Sequence, residues 1–205
     1  MHRITLLALA AIASPALADE SAIEITPFAG YRFGGNFDVD GSDLSYEVKD
    51  SPSFGIAVNF PHRQNTQWEV YYSQQSTDAE LNGVTNADPS VDVDLYVLQL
   101  GGIYQWEGDT VRPYLAATLG GTHIRTSSSG SESDTFFSGS IGLGIKILPT
   151  ARVGIRLEAR ALGTFFNDST DLFCRTGPDA NVCAVRVEGD MLTQIETFAG
   201  LTFRF

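Results

Sequence analysis

The chain has 205 residues, with 25 acidic and 13 basic side chains, which gives a formal net charge of −12 at pH 7. This charge disfavours a nucleic-acid partner, because binding phosphates requires basic patches that release counterions. The length suits one domain. The absence of a long apolar run disfavours a helical membrane protein but not a β-barrel, whose strands each give a weak hydropathy signal.

The first 18 residues have the pattern of a secretory signal peptide. A basic start (1–3) precedes an apolar run (4–13) and a small-residue ending at Ala16-Leu17-Ala18. The apolar run is shorter than the roughly 20 residues of a membrane-spanning helix, which disfavours the alternative of an N-terminal anchor. We therefore predict cleavage before Asp19 and one exported domain over residues 19–205.

Alternation of apolar and polar side chains predicts eight strands, of which six lie before residue 150. They are expected over residues 22–34, 53–60, 67–76, 91–106, 112–126 and 135–148. The fourth is ambiguous, because Leu95 and Val97 compete with Leu98 and Leu100 for the lipid-facing side. We choose the even-numbered side, since the odd-numbered one continues into Gln99.

The last two strands alternate most clearly. One covers 152–161, with four of its polar positions occupied by Arg or Glu, and the other covers 189–205 and finishes on Phe205. A strand that is apolar on one side and carries charges on the other is typical of a membrane β-barrel wall, where lipid-facing and lumen-facing residues alternate. Neither strand is suited to an ordinary soluble core.

The predicted connections alternate in length. Those at 61–66, 106–112 and 148–152 are short, and those at 35–52, 77–90, 127–134 and 167–188 are long and polar. This asymmetry is typical of outer-membrane barrels, whose short turns face the periplasm. The predicted fold is therefore an all-β, eight-stranded, antiparallel up-and-down transmembrane β-barrel with longer extracellular loops.

Four segments carry a resemblance to a known family. They are residues 100–104 (LGGIY), 112–115 (RPYL), 119–121 (LGG) and 201–205 (LTFRF). The chain resembles the small outer-membrane β-barrel family, the OmpA/OmpX-like eight-stranded group. The resemblance implies the outer membrane of a Gram-negative bacterium, contact with its lipid and lipopolysaccharide, and a terminal signal for the barrel-assembly machinery formed by Leu201, Phe203 and Phe205.

Nine ionisable side chains fall on the sides of the strands that face the lumen. An eight-stranded barrel leaves an interior that side chains can fill, and unpaired charges there would be costly. We therefore favour a salt-bridged plug over a polar permeation path. The predicted lumen cluster is Glu24, Arg32, Glu69, Lys146, Arg156, Glu158, Arg160, Glu196 and Arg204.

The long connection at 167–188 contains both cysteines of the chain, Cys174 and Cys183. In an exported protein two such residues are expected to form a disulfide. Restricting the unfolded loop would stabilise the protein by roughly 2–3 kcal/mol.

Catalytic and metal-binding motifs are weak. His123 precedes serines 127–129, but no Gly-x-Ser-x-Gly or His-Glu-x-x-His motif occurs. Asp88, Asp92 and Asp94 are more simply a solvated acidic rim than a calcium site. We predict no catalytic residue, cofactor or resident metal.

Three functions remain open. The leading one is a non-enzymatic barrel with an envelope-structural role or with loops that contact an extracellular surface partner. The others are a narrow channel for small or apolar solutes and a lipid-modifying enzyme that uses His123. A soluble lipocalin-like carrier is the rival fold, and it would require an apolar interior.

Overall fold

The computed structural model describes residues 22–38, 45–82, 91–126, 133–148, 152–166, 174–177, 180–183 and 191–205. The predicted signal peptide lies outside this part of the chain. The elements of the described residues are all strands: β1 Glu24–Phe33, β2 Asn36–Asp38, β3 Ser45–Val48, β4 Ser51–Arg63, β5 Thr66–Asn82, β6 Val91–Gln105, β7 Val111–Thr126, β8 Ser133–Ile147, β9 Val153–Phe165, β10 Cys174–Gly177, β11 Ala180–Cys183 and β12 Met191–Arg204. None of the described segments forms a helix long and apolar enough to cross a membrane.

Eight of these strands form a closed antiparallel barrel. Around the cylinder the order is β1, β4, β5, β6, β7, β8, β9 and β12, and β12 pairs with β1 to close it. Closure leaves no unpaired edge among the eight strands, which is a requirement for a sheet in hydrocarbon. The predicted eight-stranded barrel is confirmed.

Strand β6, the ambiguous one, has the predicted even-numbered residues outside. Leu98 and Leu100 are each 58% exposed, whereas Leu95 and Val97 are 1% and 2% exposed. Val97 packs inside the barrel in an apolar cluster with Phe198. The strand is therefore apolar on both sides because part of the lumen is itself apolar.

Several strands extend into segments expected to be turns or loops. Strand β4 continues to Arg63 with an irregularity between Pro61 and Arg63, so the turn consists of residues 64–65. Strand β5 continues to Asn82, and β3, within the expected loop 35–52, pairs with this extension. The pairing satisfies the backbone hydrogen bonds of both segments.

The outside of the barrel is apolar around its circumference. Aliphatic side chains occupy the middle, as at Leu119 and Ile141, which are 61% and 63% exposed. Aromatic side chains lie toward the two ends: Trp68, Tyr104 and Trp106 at the end with short turns, and Tyr31, Phe33, Phe137 and Phe165 at the other. Such a band, with aromatic girdles, matches the hydrocarbon and interfacial layers of a bilayer.

Candidate functional site in the barrel interior

The structure places all nine side chains of the predicted lumen cluster inside the cylinder. Eight are buried, and Arg204 is 11% exposed at the short-turn end. These positions lie inside because they alternate along their strands with the exposed apolar residues. Five cationic and four anionic groups make up the set, so the interior is close to charge balance.

Four of these residues form what we name the central cluster: Glu69, Arg156, Glu158 and Arg160. Glu69 accepts from Arg156 Nη2 at 2.8 Å through Oε2 and from Arg160 Nη2 at 2.6 Å through Oε1. Glu158 contacts the same two guanidinium groups, each at 2.5 Å. Glu69 is on β5 and the other three are on β9, which lies diametrically opposite in the ring of eight strands. The two ion pairs of Glu69 therefore cross the lumen from wall to opposite wall, whereas those of Glu158 stay within β9.

Neutral side chains complete the hydrogen bonding of the central cluster. Asn59 donates to Glu69 Oε2 at 2.9 Å and accepts from Arg156 Nη1 at 3.0 Å. The Tyr114 hydroxyl donates to Glu158 at 2.5 Å and accepts from Arg156 Nε at 2.8 Å. Sequence reasoning did not identify Asn59 and Tyr114 as partners, although their inward position on the strands was a usable signal.

Two glycines of β8 make room for this arrangement. A Cβ atom at Gly142 would collide with the carboxylate of Glu158, and one at Gly144 would collide with the hydroxyl of Tyr114. The central cluster therefore depends on the absence of side chains at these two inward positions.

A second ion-pair group occupies the short-turn end of the lumen. Lys146 Nζ donates to Glu24 Oε2 at 2.5 Å and to Gln67 Oε1 at 3.0 Å. The other oxygen of Glu24 lies 3.3 Å from Arg204 Nε. Because β8, β1 and β5 each supply a partner, this group also links distant parts of the wall.

A third ion-pair group lies toward the long-loop end. Arg32 Nη2 contacts Glu196 Oε1 at 3.1 Å, and Ser73 donates to the same carboxylate oxygen at 3.0 Å. The Tyr71 hydroxyl donates to the second oxygen of Glu196.

Aromatic rings separate the charged groups. The Phe28 ring stacks on Phe198 at 4.2 Å and on Tyr71 at 5.6 Å between centroids. The guanidinium carbon of Arg160 lies 3.9 Å from the Tyr71 centroid, a cation–π contact. Further toward the long loops the lining is mixed, with the buried polar side chains of Gln75, Thr122, Thr164 and Gln194 among the buried apolar ones of Leu95, Ile124, Phe136, Leu162, Phe166 and Leu192. The lumen is thus filled by side chains at several successive levels.

His123 lies on the outer wall rather than in the lumen. Its Nδ1 atom is 2.9 Å from the Thr135 hydroxyl, and its ring is 6.4 Å from that of Tyr96. The nearby serines at 127–129 lie outside the described residues.

The acidic residues of the predicted rim are also directed outward, beyond the aromatic girdle. Asp94 accepts a hydrogen bond from Ser76 at 2.6 Å. A hydrogen bond shared with Asp78, together with repulsion from that carboxylate, raises the pKa of Asp92 above its usual range. Asp88 lies outside the described residues. In the part of the chain that the structure describes, no group of three or more His, Cys, Asp or Glu is arranged to hold a metal ion.

The cysteines occupy facing positions in a small hairpin. Strands β10 and β11 pair antiparallel with Cys174 opposite Cys183. Facing residues of such a pair have Cα atoms roughly 4.5–5.5 Å apart, within the range of a disulfide. The disulfide itself stays a prediction.

The predicted assembly signal lies on the outer wall. Leu201 and Phe203 project from β12 toward the lipid side, and Phe205 follows the strand as the most exposed large apolar residue described.

Comparison with known proteins agrees with this geometry. A model of the outer membrane protein beta-barrel domain family matches residues 4–188. The fold is similar to Neisserial surface protein A (TM-score 0.60, 16% identity, 89% of this chain and 97% of that one). It is also similar to OprG from Pseudomonas aeruginosa (TM-score 0.57, 13% identity, 90% and 96%) and to the N-terminal barrel of OprF from the same organism (TM-score 0.50, 16% identity, 90% and 98%). No curated protein matches the chain.

Proposed function

Since the chain belongs to the outer membrane protein beta-barrel domain family, we propose that it is a non-enzymatic outer-membrane barrel whose lumen is closed by its own side chains. Its role is to stabilise the envelope or to present extracellular loops to a surface partner. The observation that carries this proposal is the central cluster, in which Glu69 on β5 binds Arg156 and Arg160 on the opposite strand β9.

An open channel would require this bridge to separate. Removing one partner of a buried ion pair typically costs about 3–5 kcal/mol, because the other charge is left uncompensated. Solute passage would impose a comparable cost at the central cluster. The solute would also have to pass the ion pair of Arg32 with Glu196, which lies in the same lumen. The channel hypothesis is therefore the weaker one.

Single-channel recording in planar bilayers tests the closed lumen. The wild-type protein should give no stepwise conductance under salt conditions in which general porins conduct. The paired variant Glu69→Ala/Arg160→Ala removes one of the bridging ion pairs while preserving the net charge, and it should also stay closed, because the Arg32–Glu196 pair and the stack of Phe28 on Phe198 still fill the lumen. Regular conductance steps from the folded wild-type barrel would overturn the proposal.

The environment of His123 supports a non-enzymatic role. A catalytic histidine requires a third group that orients it toward its nucleophile, and among the described residues the hydrogen bond of His123 is to the Thr135 hydroxyl and not to an orienting carboxylate. We therefore expect His123→Ala to leave the lipid A profile of overexpressing cells unchanged relative to wild type. A change present with wild type and absent with His123→Ala would establish the enzyme hypothesis instead.

We further propose that the chain is exported by a cleaved signal peptide. Its expected partners are the barrel-assembly machinery during insertion, then outer-membrane lipid and lipopolysaccharide. Beyond the membrane, β3 pairs with the extension of β5, and this paired segment offers a platform for a surface partner.

A further inference from the structure

The outer wall carries a groove at its periplasmic end, across strands β5, β6 and β7. Its volume is about 490 Å³. Gly102 and Ala117, the smallest residues of the lining, form its floor, and Trp68, Tyr104 and Leu115 border it. Small residues flanked by exposed large ones leave a recess that lipid or protein must fill in a membrane.

The periplasmic mouth of this groove carries the cationic side chain of Arg63, with His62 beside it. His62 and Arg63 are both exposed and both line it. The side chains of consecutive residues in a regular strand point to opposite sides. The irregularity between Pro61 and Arg63 breaks this alternation, so that His62 and Arg63 both face the groove. The His62 ring lies 5.4 Å from that of Trp68, which holds it beside the recess. The salt bridges among the described residues involve other cationic side chains than Arg63, such as those of Arg156 and Arg204.

We propose that this groove binds one anionic glycerophospholipid of the periplasmic leaflet. One acyl chain would lie over Gly102 and Ala117, and the headgroup phosphate would contact Arg63 and His62. Trp68 and Tyr104 mark the level of the membrane interface, where aromatic side chains concentrate. A guanidinium group at that level suits a phosphate, because its planar donors match the geometry of phosphate oxygens.

Fluorescence quenching by brominated lipids tests the site. The chain has two tryptophans, so the full-length Trp106→Phe variant leaves Trp68 as the only emitter. Folded protein is placed in phosphatidylcholine bilayers that contain increasing fractions of brominated phosphatidylglycerol or brominated phosphatidylcholine. We expect phosphatidylglycerol to bind beside Trp68 about fivefold more tightly, the effect of one basic residue near an anionic headgroup.

Two substitutions in the same background locate the binding. Arg63→Gln should abolish the preference for phosphatidylglycerol, whereas Arg152→Gln, at another periplasmic turn, should retain it. Ala117→Phe should reduce quenching by filling the recess, whereas Ala161→Phe, on the lipid-facing side of β9, should not. Each variant must show the heat-modifiable gel migration of a folded barrel.

Equal quenching by the two brominated lipids would overturn the proposal. An equal loss of preference in Arg63→Gln and Arg152→Gln would also overturn it, because the preference would then reflect general surface charge. Failure here leaves the closed-lumen proposal untouched, since the groove and the lumen lie on opposite sides of the wall.

Discussion

Replacing Glu69 with glutamine should destabilise the barrel more than any single charge removal at its surface. The side chain is fully buried and accepts charged hydrogen bonds from Arg156 and Arg160 at 2.8 and 2.6 Å. Charged hydrogen bonds contribute about 1.5–3 kcal/mol each. Since the amide oxygen of glutamine retains part of one contact, we expect a loss of about 3–5 kcal/mol, the usual cost of breaking a buried ion pair.

Urea unfolding in lipid vesicles, followed by tryptophan fluorescence and by gel migration, measures this loss. Glu107→Gln, at an exposed position in a periplasmic turn, is the matched control and should change the free energy of unfolding by less than about 0.5 kcal/mol. Adding Arg160→Met to Glu69→Gln restores charge balance and should recover part of the stability, with a coupling of about 0.5–3 kcal/mol. If Glu69→Gln costs no more than Glu107→Gln, the central cluster does not hold the barrel together.

Three further outcomes follow from the same structure. Ile141→Arg places a charge in the lipid-facing band and should cost about 2–4 kcal/mol near its middle; an unfolding free energy equal to that of wild type would mean that this face is not in hydrocarbon. Gly144→Ala should lower the unfolding midpoint, because the new methyl group collides with Tyr114, and no shift would contradict the close packing. Cys174→Ser should abolish the difference in gel mobility between reduced and non-reduced denatured protein, and the absence of such a difference in wild type would exclude the disulfide.

The strand pattern was predictable because hydrocarbon imposes a strict alternation of side chains. In β9 and β12 nearly every second residue is apolar or small, so both the period and the side that faces outward can be read from the sequence. Strand β6 was harder, since Leu95 and Val97 are apolar residues that face inward. Only the filling of the lumen, a property of the assembled cylinder, explains why they lie there.

The partners within the lumen were not predictable from the sequence. Glu69 and Arg160 are 91 residues apart, and they meet because closure places β5 opposite β9. The inward position of each charge was readable, but its partner depends on how the strands are staggered around the ring. Asn59 and Tyr114 were overlooked because an amide and a phenol give no charge signal.

Closure between β1 and β12 has a consequence for biogenesis. Ile23 and Phe205 exchange backbone hydrogen bonds at 3.2 and 3.0 Å, so the seam joins the earliest and the latest strands of the ring to be synthesised. Until β12 emerges, one side of β1 lacks its neighbour, and such an edge readily pairs with other chains. A polypeptide cut short before residue 191 would therefore lack the strand that closes the ring, and β1 would keep an exposed edge.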